Sequence, residues 1–247
     1  MSRKFKKRTG LSSLRNRLVA EALQNAFPQH EINSSAVKRI AIFPKYRVAF
    51  NRIQKNANST TMLILDCVQN GKISSIERSK DQVNPILKAR LRGPIALSDY
   101  KLLLVTRSPY SRTLSAFLYK FQIEEFIKKH RDFEKTPSGF IEFLHWLQDG
   151  GLDKDAHWDL QTKSMILPFS YYTHVVKVEN YDKLMTKFLT EIGASEHVPE
   201  IVKISHLGRP HGTDAAKKLE YFYDRKAKKI VSSLYEKDFL ELQYPIE

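Results

Sequence analysis

The chain reads RVAFNRIQKNANSTTMLILDCVQNG from Arg47 to Gly71, a stretch that joins a strand pattern directly to a helix pattern. Its alternating apolar side chains predict a strand over Arg47–Gln54. Apolar residues at helical spacing then predict a helix over Ser59–Gln69. Gly71 closes this helix, because glycine readily adopts the left-handed conformation at a helix C-terminus. A polar turn with one lysine lies between the two patterns, and in α/β sheets ligands bind at this end of the strands.

Strand and helix patterns repeat along the rest of the chain. Apolar runs over Tyr100–Arg107 and Thr173–Tyr181 predict two more strands, and helices are predicted to follow from Pro109 and over Asp182–Ile192. This alternation predicts an α/β fold, a three-layer α/β/α domain with a mostly parallel central sheet, similar to the P-loop NTPases. Further helices are expected over Ser138–Gln148 and between Ala215 and Leu242.

Basic residues are distributed unevenly. The 247-residue chain has a formal net charge of +14, and residues 1–17 contain seven basic and no acidic side chains. We therefore divide the chain into a basic N-terminal tail with an amphipathic helix around Leu14–Phe27, together residues 1–30, and a single domain over residues 31–247. The charge favours an anionic partner, such as a nucleic acid, an acidic membrane surface, or a phosphorylated or sulfated small molecule. The basic N-terminus is the candidate for peripheral membrane contact.

Neither cysteine chemistry nor membrane insertion is expected. The single cysteine, Cys67, excludes an internal disulfide and a thiolate metal cluster, and it is expected to be a small buried residue. No apolar run reaches the ~18–20 residues of a membrane span, and no signal-peptide pattern is found. We therefore expect a cytoplasmic protein, although the basic start leaves a mitochondrial presequence open.

The polar turn after the first predicted strand has the composition of a phosphate or sulfate site. A helix that begins near Ser59 presents unpaired backbone N–H groups and the positive end of its dipole to the turn. Hydroxyls and a lysine would add donors and charge. The alternative is an ordinary helix N-terminus with a solvated lysine. The candidate ligands are Lys55, Asn56, Ala57, Asn58, Ser59, Thr60 and Thr61.

A second anion motif follows the next strand. Arg107 ends the strand, and Ser115 lies eight residues later, two turns into the following helix. A guanidinium from a strand tip and a hydroxyl from the inner face of that helix could meet one phosphate, to which Arg112 would also contribute. The alternative is that Arg107 pairs with a surface carboxylate and Ser115 is a small packing residue.

These two motifs, QKNANSTT from Gln54 and TRSPYSRTLSAFLYKF from Thr106, resemble those of the sulfotransferases, most closely the carbohydrate branch known as sulfotransferase family 2. FIEFLHWL, DAHWDLQT, VVKVENYDKL and SSLYEKDFLELQY are similar to later family segments in the same order. The resemblance extends from about Arg47 to Tyr244. The chain departs from the family pattern at Gln54, Ser108, Phe117 and Leu160.

The resemblance implies the sulfotransferase fold and a reaction. Its donor would be PAPS (3′-phosphoadenosine 5′-phosphosulfate), its product PAP, and its acceptor a hydroxyl, on a carbohydrate or glycolipid, with no metal. Lys55 and the Ser/Thr turn would hold the 5′-phosphosulfate, and Arg107 and Ser115 the 3′-phosphate. A donor with one phosphosulfate also explains why the turn lacks the glycines of a triphosphate-binding loop.

An acceptor hydroxyl needs a general base, and His157 in DAHWDLQT is the first candidate. The alternative is a structural His157 that holds its loop in place. Glu124 and Glu125 are weaker candidates. The loop containing His206, Arg209 and His211 could close over the nucleotide or be an exposed connector. Asp238 and Tyr235 fit packing and hydrogen bonding better than catalysis, and Glu179 at a strand end is a candidate to orient Lys177 or a site group.

Two other functions compete with sulfuryl transfer. A P-loop-like kinase or NTPase is disfavoured, because no Gly-Lys-Ser/Thr follows the turn and no apolar strand ends in an acidic residue that would hold Mg²⁺. A nucleic-acid-binding protein is suggested by the basic composition, but no recognition motif is found and the charge is concentrated at the N-terminus.

Overall fold

A computed structural model describes residues 6–72, 96–198 and 213–247. Its sheet has four strands in the order β1-β2-β3-β4, of which β2, β3 and β4 are parallel and β1 pairs antiparallel with β2. The strands are β1 Ile40–Phe43, β2 Val48–Asn51, β3 Lys101–Thr106 and β4 His174–Lys177. The three predicted strands are thus present, and β1 is an additional edge strand that the sequence patterns did not indicate.

Helices follow the parallel strands as predicted. They are α1 Lys6–Ala26, α2 Asn58–Asn70, α3 Pro109–Lys120, α4 Glu124–Lys129, α5 Pro137–Trp146, α6 Tyr181–Glu191, α7 Leu219–Phe222, α8 Arg225–Leu234 and α9 Glu236–Glu241. Gly71 ends α2 with a φ of 70°, and its N–H donates to the carbonyl of Cys67, which is the expected left-handed C-terminus. A π-helical turn at Leu147–Gly151 continues α5.

The two faces of the sheet are covered by different helices, because successive residues of a strand point to opposite faces. Phe50 and Leu103 belong to a buried cluster with α2 and α6, whereas Ala49 and Leu104 belong to another with α1. The prediction of a three-layer α/β/α domain with a mostly parallel sheet is therefore confirmed.

Helix α1 begins at Lys6, earlier than the start near Leu14 that its apolar residues indicated. Val19 and Leu23 are fully buried against the sheet, and the buried Arg15 donates to the carbonyl of Ile40. The helix is thus packed onto the sheet. None of the helices in the described part of the chain combines the length and hydrophobicity that crossing a bilayer requires.

A third buried cluster consists mainly of aromatic side chains from α3, α5 and the C-terminal helices. Phe117 lies at its centre, with ring centroids 5.2 Å from Phe140 and 5.5 Å from Phe143. Trp158 stacks on Phe121 at 5.7 Å and donates through Nε1 to the carbonyl of Gly151. This cluster holds α3 against the segment around Trp158, and both of these contribute side chains to the site.

Candidate active site

The carboxyl ends of β2 and β3 lie side by side, which brings the two anion motifs into direct contact. Asn51 of β2 pairs with Leu104 of β3, so the chain leaves both strands at the same edge of the sheet. Arg107 Nη1 donates to the carbonyl of Lys55 at 3.0 Å. Asn56 Nδ2 donates to the carbonyl of Val105 at 2.9 Å. Two turns that are about fifty residues apart in sequence therefore form one surface.

The first turn has the backbone of an anion nest. Lys55 and Ala57 have φ values of 67° and 51°, which non-glycine residues adopt rarely and at a cost of about 1–3 kcal/mol each. Helix α2 begins directly afterwards at Asn58, and among the described residues no side chain caps its first turn. Its N-terminal N–H groups and dipole are thus available to an anion.

The polar side chains of this turn differ in their burial and in their hydrogen-bond partners. Thr61 is buried; its hydroxyl donates to the carbonyl of Ala57 at 3.0 Å and lies 2.8 Å from the hydroxyl of Tyr181, so it stabilises the turn. Asn58 Oδ1 accepts from Arg52 Nε at 3.1 Å. Ser59 and Thr60 are half-buried in the first turn of α2.

Asn56 is fully buried under the turn. In addition to its bond to Val105, its Nδ2 donates to Gln161 Oε1 at 2.6 Å, whereas its Oδ1 has no hydrogen-bond partner among the described residues. The side chain of Asn56 therefore fixes the turn to the sheet from below. An anion on the other side would be bound by backbone N–H groups.

Lys55 is a half-buried cation in a positively charged environment. Its Nζ lies 4.3 Å from the centroid of the Tyr119 ring on α3, a cation–π contact. Burial, and then the charges of Arg107, Lys120 and Arg112, lower the pKa of Lys55 to about 7. An anionic ligand is favoured beside Lys55, because its negative charge offsets the repulsion between Lys55 and the neighbouring cations.

Arg107 and Ser115 do not contact each other. Arg107 Nε donates to Ser111 Oγ at 3.0 Å, one turn earlier on α3, and burial lowers the pKa of Arg107 to about 10. Ser115 is buried and its hydroxyl accepts from Thr213 Oγ1 at 3.1 Å. Ser111, Ser115 and Tyr119 follow at four-residue spacing, so they share the face of α3 that is turned toward Lys55 and Arg107.

Arg112 is fully buried and its guanidinium is used within the protein. Nε donates to the carbonyl of Gln54 at 3.1 Å, Nη1 to that of Asp159 at 2.7 Å and Nη2 to that of Ala156 at 3.1 Å. The expected direct contribution to a phosphate has no support in this geometry. Arg112 instead joins the lysine turn to the segment that contains His157.

His157 and Asp155 form a hydrogen-bonded dyad. His157 Nδ1 contacts Asp155 Oδ1, which also accepts from the backbone N–H of His157 at 2.9 Å. Burial is the main reason why the pKa of His157 lies below the usual 6.5. The hydrogen bond to Asp155 and its charge raise this pKa, whereas the charges of Lys120 and Lys55 lower it further. Burial alone would raise the pKa of Asp155, but the hydrogen bonds from His157 lower it to about 2. The ring is therefore neutral at pH 7, and among the described residues no hydrogen bond engages its Nε2.

Comparison with known proteins identifies the family of the chain. A family model described as "Sulfotransferase family" matches residues 38–245 of the chain. The chain belongs to the sulfotransferase family. No match was found among curated proteins, and none among solved structures. Membership of the sulfotransferase family, which the sequence motifs predicted, is thus confirmed, and it supports sulfotransfer as the activity of the chain.

Among the acidic candidates of the sulfotransferase, Glu179 contacts residues of the site. Glu179, just after β4, accepts from the backbone N–H of Ser108 at 2.8 Å, from Ser111 Oγ at 3.3 Å and from the hydroxyl of Tyr244 at 3.1 Å. It therefore orients the loop after Arg107. Glu124 and Glu125 are exposed on α4, as expected for solvated residues.

The C-terminal signature of the sulfotransferase has the packing role that was predicted. Asp238 Oδ2 accepts from the backbone N–H of Gln161 at 2.7 Å, and its Oδ1 accepts from Thr162 N at 3.0 Å and Oγ1 at 2.9 Å. The hydroxyl of Tyr235 donates to the carbonyl of Trp158 at 2.5 Å. Both residues thus hold the segment that contains His157.

Two arginines beside the lysine turn of the sulfotransferase were missed by the sequence analysis. Arg52 N donates to the carbonyl of Arg39 at 3.0 Å, and the Arg39 side chain contacts Gln54 Oε1. Burial lowers the pKa of both guanidinium groups. Only the pairing of β1 with β2 brings Arg39 to this edge, and β1 was not predicted.

In residues 6–72, 96–198 and 213–247 no group of three or more His, Cys, Asp or Glu side chains is arranged to hold a metal ion. The loop candidates His206, Arg209 and His211 lie outside the described residues.

Proposed function

We propose that this sulfotransferase moves a sulfuryl group from PAPS to a hydroxyl of a carbohydrate or glycolipid. The observation that carries the proposal is the 3.0 Å hydrogen bond from Arg107 Nη1 to the carbonyl of Lys55, because it makes the two anion motifs one continuous site. A nucleotide with phosphates on its 3′ and 5′ positions needs two such motifs close together. A single-phosphate ligand would need only one.

The residues present fit this donor. The uncapped first turn of α2 and Lys55 supply N–H donors and charge for the 5′-phosphosulfate, together with the Ser59 and Thr60 hydroxyls. Arg107 and Ser115 are proposed for the 3′-phosphate, and the environment of Lys55 and Arg107 is strongly basic. The bound donor would supply the sulfuryl group and leave as PAP.

His157 is the proposed general base. In the dyad Nδ1 carries the proton and contacts Asp155, so Nε2 is the atom that would take the proton of the acceptor hydroxyl. As the new S–O bond forms, the bond from sulfur to the phosphate oxygen breaks. Lys55 would stabilise the negative charge that develops on that oxygen.

The acceptor class and the cellular setting rest on sequence. The resemblance to the carbohydrate branch supports a glycan or glycolipid hydroxyl as acceptor. A cytoplasmic location is part of the proposal as an expectation from the sequence. The seven basic residues in residues 1–17 support contact with an acidic membrane surface.

Ligand-dependent melting tests the donor assignment. PAP at a hundred times its Kd should stabilise the protein by about 2.7 kcal/mol without added metal, and ATP with Mg²⁺ should have little effect. A larger shift with ATP and Mg²⁺ would favour the kinase alternative. Transfer of radiolabelled sulfate from PAPS to a panel of glycan, glycolipid and phenol acceptors then identifies the acceptor class.

Lys55→Ala tests the catalytic assignment. We expect transfer to fall by at least about 10²-fold, because a donor to the developing charge is lost. Lys45→Ala is the matched control, since Lys45 also lies over a tyrosine ring, at 4.8 Å from the Tyr46 centroid, but at the opposite end of β2. Equal activity of the two variants would remove Lys55 from the mechanism.

A further inference from the structure

The side chain of Gln161 joins the two anion motifs from beneath. It is fully buried, its Oε1 accepts from Asn56 Nδ2 at 2.6 Å and from Arg107 N at 3.1 Å, and its Nε2 donates to the carbonyl of Arg107 at 2.8 Å. These partners fix the orientation of the amide, because its oxygen faces two donors and its nitrogen faces an acceptor. One side chain thus contacts the lysine turn and the arginine tip together.

Gln161 is itself held from outside the site. Its backbone N–H donates to the buried carboxylate of Asp238 at 2.7 Å, and the next residue, Thr162, makes two more bonds to that carboxylate. On the other side, Asn56 is fixed to the carbonyl of Val105 in β3. Gln161 therefore links Asp238 on α9 to Asn56, which is itself bonded to β3.

We propose that Gln161 is a positioning residue that sets the separation of the 5′- and 3′-phosphate sites. This inference rests on the proposed function. The ribose of PAP fixes the spacing of its phosphates, so a protein gains from both only if its two sites match that spacing. Each site keeps its own donors when Gln161 is removed, but their separation is no longer held. Engaging two linked sites together raises affinity by about 10²–10⁴-fold over one site alone, and this gain is lost when the spacing no longer matches.

The test compares three ligands by calorimetry: PAP, AMP with only a 5′-phosphate, and adenosine 3′-phosphate. In wild type we expect PAP to bind far more tightly than either monophosphate. In Gln161→Met, which keeps the volume and removes the hydrogen bonds, we expect the affinity for PAP to fall by about 10²-fold. The two monophosphates should change by less than about threefold, because each still finds its own donors. Gln161→Asn keeps an uncharged amide on a side chain that is shorter by one methylene, so it should weaken PAP selectively but less than Gln161→Met does, and it serves if the Met variant does not fold.

The control is Gln122→Met, since Gln122 lies exposed in the turn after α3 and its side-chain amide donates to the carbonyl of Leu118 at 2.7 Å. It should leave all three affinities unchanged. Equal weakening of all three ligands in the Gln161 variants would mean a general structural role and would overturn the inference. So would unchanged PAP affinity. If wild type itself fails to bind PAP, the proposed function fails first, and the inference with it.

Discussion

Raising the pH from 7 to 9 should neutralise Lys55 and thereby lower the kcat/KM of sulfuryl transfer. Burial and the neighbouring cations Arg107, Lys120 and Arg112 lower the pKa of Lys55 from the ordinary 10.5 to about 7. About half of the free protein then has a charged Lys55 at pH 7 and about one hundredth at pH 9. If the charged form is required, kcat/KM for PAPS falls by roughly 50-fold over this interval. Arg107, with a pKa of about 10, stays charged throughout.

The assay measures kcat/KM at limiting PAPS and saturating acceptor from pH 7 to 9. At saturating PAPS the decline should move to higher pH, because bound anions favour the charged lysine. Lys55→Arg is the control: its guanidinium stays charged over this range, so a slower but flat profile is expected. A flat wild-type profile between pH 7 and 9 would refute either the low pKa of Lys55 or its role.

Three further predictions concern residues around the site. Asp155→Asn should lower kcat by about 10²-fold or more, because the carboxylate that orients His157 is lost; equal turnover would leave His157 without its proposed role. Arg112→Met should lower the free energy of unfolding in urea by about 3 kcal/mol, since three buried carbonyls lose their donor, whereas the exposed Arg131→Met should change it by less than about 0.5 kcal/mol. Phe117→Ala should cost about 3–5 kcal/mol in the same measurement, and a loss under 1 kcal/mol would contradict its central place in the aromatic cluster.

The fold was largely predictable because its parallel strands have strong local patterns. Apolar runs marked β2, β3 and β4, while Gly71 and Pro109 marked helix ends. Strand β1 was missed because no α-helix follows it before β2, so it is not part of the strand–helix alternation, and its antiparallel pairing with β2 is a tertiary contact. The early start of α1 at Lys6 also escaped prediction, since lysine and arginine are good helix formers but add no apolar period.

The sequence predicted that the two anion motifs meet at one edge of the sheet, but it did not predict their individual contacts. Lys55 and Arg107 were found because both follow parallel strands, whose carboxyl ends meet at one edge. Spacing along α3 could not distinguish Ser115 from Ser111, which is the residue that contacts Arg107. Equally, nothing in the sequence around Arg112 indicates that its guanidinium is used by three backbone carbonyls.

The three hydrogen bonds of the Arg112 guanidinium join parts of the chain that are far apart in sequence. The guanidinium contacts a carbonyl 58 residues earlier in the chain and others 44 and 47 residues later, and contacts of this span are formed only after large loops have closed. We therefore expect a refolding chain to regain its helical circular dichroism before it regains PAP binding. Donor recognition would then be a late step of folding, and a partly folded chain would not capture the nucleotide.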